Sequence, residues 1–142
     1  MALRLINKEL KIRTPGQGLH SISSSVEDAV NSENVSNGLC NLFIQHTSAS
    51  LIIQENADPS ARHDLEKWLN RLVPENDSLY THTCEGPDDM PSHIKAILTQ
   101  VSLSIPIING NLALGTWQGI YLWEHRKRGH QRIVLVSIVG QN

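Results

Sequence analysis

Apolar residues in this chain recur mainly at every second position, in short blocks separated by turn-forming residues. Side chains of a strand alternate between two faces, so this pattern constrains the fold more than any other feature of the sequence. Polar and apolar residues alternate loosely from Leu3 to Ile12, predicting a first strand. Thr14-Pro15-Gly16-Gln17-Gly18 then supplies turn chemistry, and Leu19–Ser23 reads as a second short strand. Leu39–His46 puts Cys40, Leu42, Ile44 and His46 on one face, and Ala49–Glu55 does the same for Ala49, Leu51, Ile53 and Glu55. Pro106 marks an edge strand or bulge, and Asn109-Gly110 a hairpin turn. Leu112–His125 and Arg132–Val139 read as two further strands joined by the basic loop Arg126-Lys127-Arg128-Gly129.

Helical spacing interrupts this pattern in three places. Ser24 or Ser25 ahead of Val26–Val30 resembles a hydroxyl-capped start to a helix of roughly two turns. Asp58-Pro59 opens a longer helix to about Val73, with Ala61, Leu65, Trp68, Leu69 and Leu72 as its buried stripe and Pro74 as its stop. Pro91 lies near the start of another amphipathic helix, with His93 in its first turn and Ile94, Ile97, Leu98 and Val101 turned inward. Strands outnumber helices and hairpin-length turns connect several of them. The expected class is therefore α+β, an antiparallel β-sandwich of jelly-roll type flanked by two main helices, in one domain spanning residues 1–142. Edge strands in a chain of this size also favour oligomerisation.

Charge and length narrow the function classes. Twelve Lys and Arg against fourteen Asp and Glu give a formal net charge of −2, which suggests neither a nucleic-acid footprint nor a polybasic membrane anchor. The apolar run Ile133–Val139 is broken by Ser137 and falls far short of the roughly 20 residues of a membrane-spanning helix. The N-terminus lacks the apolar core and cleavage site of a secretory signal, so a cytoplasmic address is expected. Two cysteines, Cys40 and Cys84, are too few for a disulfide framework and read as reduced thiols.

Three constellations carry candidate chemistry. His46-Thr47-Ser48-Ala49-Ser50 and Glu55-Asn56-Ala57-Asp58-Pro59 put a base and an acid near strand ends. The plainer reading is that His46 bonds the backbone, Glu55 is solvated and Asp58 caps its helix. His82, Cys84, Glu85, Asp88, Asp89 and His93 fall in a segment with no Lys or Arg, and their side chains suit zinc or another first-row divalent ion. A solvated acidic loop would read the same way. Glu124–Arg132 is a basic tip able to grip phosphate, or simply a solubilising loop. Trp117, Tyr121 and Trp123 could stack a heterocycle, although alternate strand positions more often serve a core or an interface. No Walker loop, dinucleotide-binding glycine fingerprint or GxSxG elbow occurs.

Gly115-Thr116-Trp117-Gln118 stands after Ser102, Ile105, Ile107 and Gly110 and before Ile120, and the combination resembles the YjbQ family. His46-Thr47-Ser48-Ala49, Glu55-Asn56-Ala57-Asp58-Pro59, His82 and Ser92-His93-Ile94-Lys95 match further blocks of that family in the same order, across essentially the whole chain. The resemblance implies a compact β-sandwich-like subunit that assembles as a homotrimer. It also implies a thiamine-phosphate synthase activity, joining a pyrimidine pyrophosphate to a thiazole phosphate, with a small phosphorylated substrate as partner and neither nucleic acid nor membrane. On that basis His46, Glu55, Asn56, His82 and His93 are the catalytic candidates, and Trp117, Gln118, Glu124, Arg126 and Arg132 the substrate-binding ones. His46, His82 and His93 would share a divalent ion, magnesium or zinc, with Arg126 or Arg132 holding phosphate. A metal-dependent hydrolase and a non-catalytic ligand-binding trimer are the alternatives.

Overall fold

The computed structural model describes residues 2–142. Strand β1 (Arg4–Arg13) is followed by β2 (Gly16–Ser21), helix α1 (Ser23–Asn31), β3 (Asn37–Ile44), β4 (Ala49–Glu55), α2 (Pro59–Leu72) and α3 (Asp89–Leu98). The chain continues through β5 (Ser102–Ile108), β6 (Asn111–Leu112), β7 (Gln118–Arg128) and β8 (Gln131–Gln141). The α+β class with antiparallel strands is found, as two sheets of unequal size ordered β1-β8-β3-β5-β6 and β2-β7-β4. Three helices accompany them rather than two main ones.

Alternation builds the core. Cys40, Leu42 and Ile44 of β3, Leu103, Ile105 and Ile107 of β5, and Val134, Val136 and Ile138 of β8 are all buried. They join Leu51 of β4, Ile120 and Leu122 of β7, and Val26 and Val30 of α1 in one apolar cluster fed by both sheets. Ile120 is fully buried there, so Ile120→Val should cost about 1 kcal/mol in urea unfolding, through lost contacts and a small cavity. A loss below a few tenths would mean the site collapses around the missing methyl. The hairpin at Asn109-Gly110 forms as expected, with φ of 52° and 82° at its two turn residues.

Several boundaries and faces differ from the sequence reading. The glycines assigned to a turn belong to β2, which begins at Gly16 with a register shift before Gly18. No serine side chain caps α1; the Ser23 hydroxyl instead accepts the Ile120 amide at 2.9 Å. The basic residues Arg126–Arg128 extend β7 and leave Gly129-His130 as the turn into β8. Trp117 lies off the strand and is exposed, while Tyr121 and Trp123 are buried.

Both long-helix stripes are buried only in part: Leu65 and Leu69 of α2 and Ile94 of α3 pack in one apolar cluster, and other members of the stripes do not. In α2 only Leu69 is buried, and Trp68 and Leu72 are each 53% exposed. Polar side chains share the inner face of α2: Glu66 accepts the Leu19 amide at 2.8 Å, and the Arg62 guanidinium lies 5.7 Å from the Tyr121 ring centre. In α3 the buried residues are Asp89, Pro91, Ser92, Lys95 and Ala96, whereas Ile97 and Leu98 are exposed. Val101 falls outside that helix, which starts at Asp89 and places His93 beyond its first turn.

Candidate functional site

Asp89 and His93 are one turn apart on α3, and His82 approaches them from the preceding loop. The Asp89 carboxylate is almost fully buried, and its Oδ2 lies 2.8 Å from His82 Nε2 and 3.1 Å from His93 Nε2. The two imidazole rings are 5.6 Å apart between centres. Asp89 Oδ1 accepts a 2.8 Å bond from Arg126, whose guanidinium also donates to Asp88 Oδ2 at 2.9 Å and to the Glu85 carbonyl at 2.9 Å. Hydrogen bonding to Asp88 raises the Arg126 pKa further, so this fork is a permanent clamp on the loop.

The tautomer of His93 follows from its second nitrogen. Nδ1 lies 2.9 Å from the Thr47 carbonyl oxygen, which can only accept, so Nδ1 carries a hydrogen. The Nε2 lone pair of neutral His93 therefore faces carboxylate Oδ2, two acceptors with no hydrogen between them. A proton or a cation at that point removes the conflict. Among the described residues, His82, Asp89 and His93 form a group whose potential ligand atoms all lie within 4.8 Å of one another. Cys84 is exposed and stands outside that group.

His46 does not join them. Its Nε2 accepts the Ile133 amide at 2.8 Å, and its Nδ1 lies 3.4 Å from Arg132. Burial, with the Arg132 charge second, holds its pKa below the ordinary histidine value. His46 and His93 do line one largely apolar cavity of about 590 Å³, with Thr47, Ala96, Ile97 and Val101. A neighbouring cavity of about 540 Å³ shares His46, Thr47 and Val101 and reaches Ser48 and Arg132.

The remaining candidates are engaged in local contacts. Glu55 Oε2 accepts the Ala57 and Asp58 amides at 3.2 and 2.9 Å, and Asp58 caps α2 through Ser60 at 2.9 Å. The Asn56 side-chain amide donates to the Thr116 and Gln118 carbonyls, each at 3.4 Å, while Gln118 Oε1 accepts the Gly115 amide at 2.7 Å. Glu55, Asn56, Trp117 and Gln118 thus gather around the turn into β7 and line neither cavity that His46 borders. Glu124 is fully buried and paired with Arg132.

Sequence reading placed His125 in the basic tip and Lys95 in a matched block without expecting either to be buried, because a buried imidazole and a buried ammonium leave no periodic trace. His125 is 1% exposed on β7, with Nε2 2.8 Å from Ser50 Oγ. Desolvation, aided by the Lys95 and Arg132 charges, pushes its pKa down to about 3 from 6.5. The folded form thus refuses a proton that the unfolded chain accepts below about pH 6.5, so stability falls as pH drops through that window. His125→Gln should remove about 1 kcal/mol of the stability change between about pH 6 and pH 5. An unchanged slope in urea titrations at the two pH values would contradict the buried neutral ring.

The chain matches the YjbQ-like UPF0047 family model over residues 8–141. It belongs to the YjbQ/UPF0047 family. It is 53% identical to a UPF0047 protein of Synechocystis over 93% of this chain and 90% of that one, and 42% identical to YjbQ of Escherichia coli O157:H7 over 94% and 97%. A Clostridium acetobutylicum structure described as an uncharacterised YjbQ/UPF0047 protein superposes with a TM-score of 0.80 at 39% identity, covering 94% of this chain and 98% of that one. A Sulfolobus solfataricus protein of unknown function shares the fold at TM-score 0.90 and 23% identity, covering 99% and 100%. These relatives overturn the thiamine-phosphate synthase expectation. They are uncharacterised or of unknown function, and none is described by thiamine chemistry. Among the described residues of this YjbQ-family chain, no helix is long and apolar enough to cross a membrane.

Proposed function

We propose that this YjbQ-family protein is a metalloprotein that holds one first-row divalent transition cation through His82, Asp89 and His93 and presents it to the cleft beside His46. The observation that carries the reading is the convergence of His82 Nε2 and His93 Nε2 on Asp89 Oδ2, at 2.8 and 3.1 Å, with His93 Nδ1 spent on the Thr47 carbonyl. A ligating histidine usually donates its other ring N–H to a backbone carbonyl or carboxylate, and ligating carboxylates are hydrogen-bonded in turn. Thr47 and Arg126 fill those two supporting roles. Two imidazoles and one carboxylate suit zinc, iron, cobalt or manganese better than magnesium, which prefers an all-oxygen shell. When bound, such an ion polarises an oxygen ligand and lowers the pKa of a coordinated water.

The protein supplies the surroundings. Three ligands leave coordination positions open, and His93 stands between Asp89 and the apolar wall of Ala96, Ile97 and Val101. A ligand with an apolar body and a metal-seeking oxygen fits that wall. Chelator-treated protein titrated calorimetrically with zinc, manganese and magnesium should show one tight zinc site and little response to magnesium. Absence of saturable binding for every transition ion would defeat the proposal.

A further inference from the structure

Two hydrogen-bond donors face each other on the wall of the cleft with no acceptor between them. The Ile133 amide can only donate, and it donates to His46 Nε2 at 2.8 Å, so that nitrogen presents the lone pair of the ring. The hydrogen of neutral His46 therefore resides on Nδ1. Nδ1 lies 3.4 Å from Arg132 Nη1, and a guanidinium nitrogen donates without accepting. Protonating the ring does not resolve the conflict, because it sets a second N–H against the Ile133 amide.

The other nitrogens of Arg132 are committed. Nε donates to Glu124 at 2.8 Å, and Nη2 donates to the second Glu124 oxygen and to Ser48 Oγ, the latter at 3.0 Å. Among the described residues, Nη1 meets nothing but the His46 ring. The Arg132 side chain is only 6% exposed, so bulk water has little access to those N–H groups. Ser48 adds a third donor, since its oxygen accepts from Arg132 and its hydrogen has no protein acceptor among the described residues. His46, Ser48 and Arg132 all line the cavity of about 540 Å³. Among the described residues, no carboxylate lines that cavity or the adjoining one of about 590 Å³. Buried donors left unmatched in this way are uncommon and mark a place for an acceptor.

We infer that the cleft beside His46 seats the oxyanion head of a small organic acid or phosphate, whose oxygens accept from Arg132 Nη1, His46 Nδ1–H and the Ser48 hydroxyl. A wall of donors selects an oxygen ligand, and charge-assisted bonding from the guanidinium favours an anion over a neutral carbonyl. Glu124 grips the far edge of the guanidinium and so fixes the direction of Nη1. Phe43 and Val101 line the same cavity and give an apolar surface to the body of the ligand. A carboxylate and a tetrahedral phosphate share this chemistry. The inference goes beyond the cation site and stands without it, because none of the three donors belongs to the His82, Asp89 and His93 group.

The test titrates the full chain, as purified and again after chelator treatment, with acetate, inorganic phosphate and, as a weakly accepting control, perchlorate. It follows the ¹H and ¹⁵N signals of His46 in histidine-labelled protein. Acetate or phosphate is expected to move the His46 Nδ1–H signal saturably in both preparations, and perchlorate is not. The anion that binds tighter tells a planar from a tetrahedral head group. Arg132→Lys keeps a cation for Glu124 but has no Nη1, and it should weaken binding at least about tenfold, as loss of one charge-assisted bond implies. Ser48→Ala leaves the Glu124–Arg132 pair whole and should give a smaller, severalfold loss even if Arg132→Lys does not fold. His82→Ala should change nothing. No saturable shift with either anion, indicating water alone, would overturn the proposal, as would an equal response to perchlorate. So would binding that both Arg132→Lys and Ser48→Ala leave intact. Binding that vanishes with chelation or with His82→Ala would put the anion on the cation instead and overturn it too, whereas a failure of zinc to bind touches none of these outcomes.

Discussion

His93→Ala is expected to abolish high-affinity zinc binding, with a loss beyond the roughly 10–100-fold that supporting partners of a metal site cost. Removing the ring takes away one ligand and also the Thr47 contact that fixes its tautomer. His82→Ala should act comparably, since it too contributes a nitrogen close to Asp89 Oδ2. Asp89→Asn tests a different property, because the amide keeps the shape but loses the charge that draws the cation. Arg126→Met should fall in the 10–100-fold range, by freeing Asp89 Oδ1 and loosening the loop held through Asp88 and Glu85. His46→Ala should leave zinc affinity nearly unchanged, because its Nε2 is committed to the Ile133 amide. Calorimetric titration of the five variants checks the ordering. Equal affinities for His93→Ala and the parent protein would remove the cluster from consideration.

The histidine pair was legible in the sequence, but its third member was not singled out. His82 and His93 stood out as nitrogen donors in a segment with no Lys or Arg, yet six residues there could have been ligands. Only the start of α3 at Asp89 puts Asp89 and His93 one turn apart with the carboxylate buried. His46 misled for a physical reason: alternation extends β3 through it, but the strand ends at Ile44 and the ring turns to the β8 backbone. Period-2 patterning recovered the core of β3 and β4 because one face of each is buried against the other sheet's side chains. Helical patterning found Leu65, Leu69 and Ile94 but not the whole inner face of α2 and α3, because it counts apolar residues alone. Glu66, Arg62, Asp89 and Lys95 take inward positions by finding partners, and Trp68, Ile97 and Leu98 are displaced outward. The Glu124–Arg132 pair was hidden similarly, since eight positions separate two charges that look like parts of a solvated tip.

Glu124→Leu is expected to destabilise the protein by about 3–5 kcal/mol, because it strands the Arg132 guanidinium, whose side chain is only 6% exposed. The carboxylate accepts from Arg132 Nε at 2.8 Å and from the Thr14 hydroxyl at 2.7 Å, and its second oxygen meets the Arg126 amide at 3.2 Å. Burial alone would resist its ionisation, but the Arg132 and Thr14 bonds prevail and hold its pKa below the usual carboxylate value. A carboxyl with a lowered folded pKa contributes stability above its unfolded pKa near 4.3, and that contribution disappears as pH falls through the folded value. Arg132→Met should cost a similar amount by leaving Glu124 charged and unpaired, or forcing it to take up a proton. The double variant separates pairing from mere burial. Replacing both partners of a buried pair with apolar residues is often near neutral, so Glu124→Leu with Arg132→Met should be less destabilised than either single change. Urea unfolding of the four proteins closes the cycle, and strictly additive losses would show that the two charges are not coupled. Arg132 also donates to Ser48 Oγ at 3.0 Å and lies beside His46, so the pair braces the cleft wall as well as the sheet. If that bracing matters, the double variant should regain stability without regaining the parent arrangement of His46, read as a changed ¹⁵N tautomer signature for that ring.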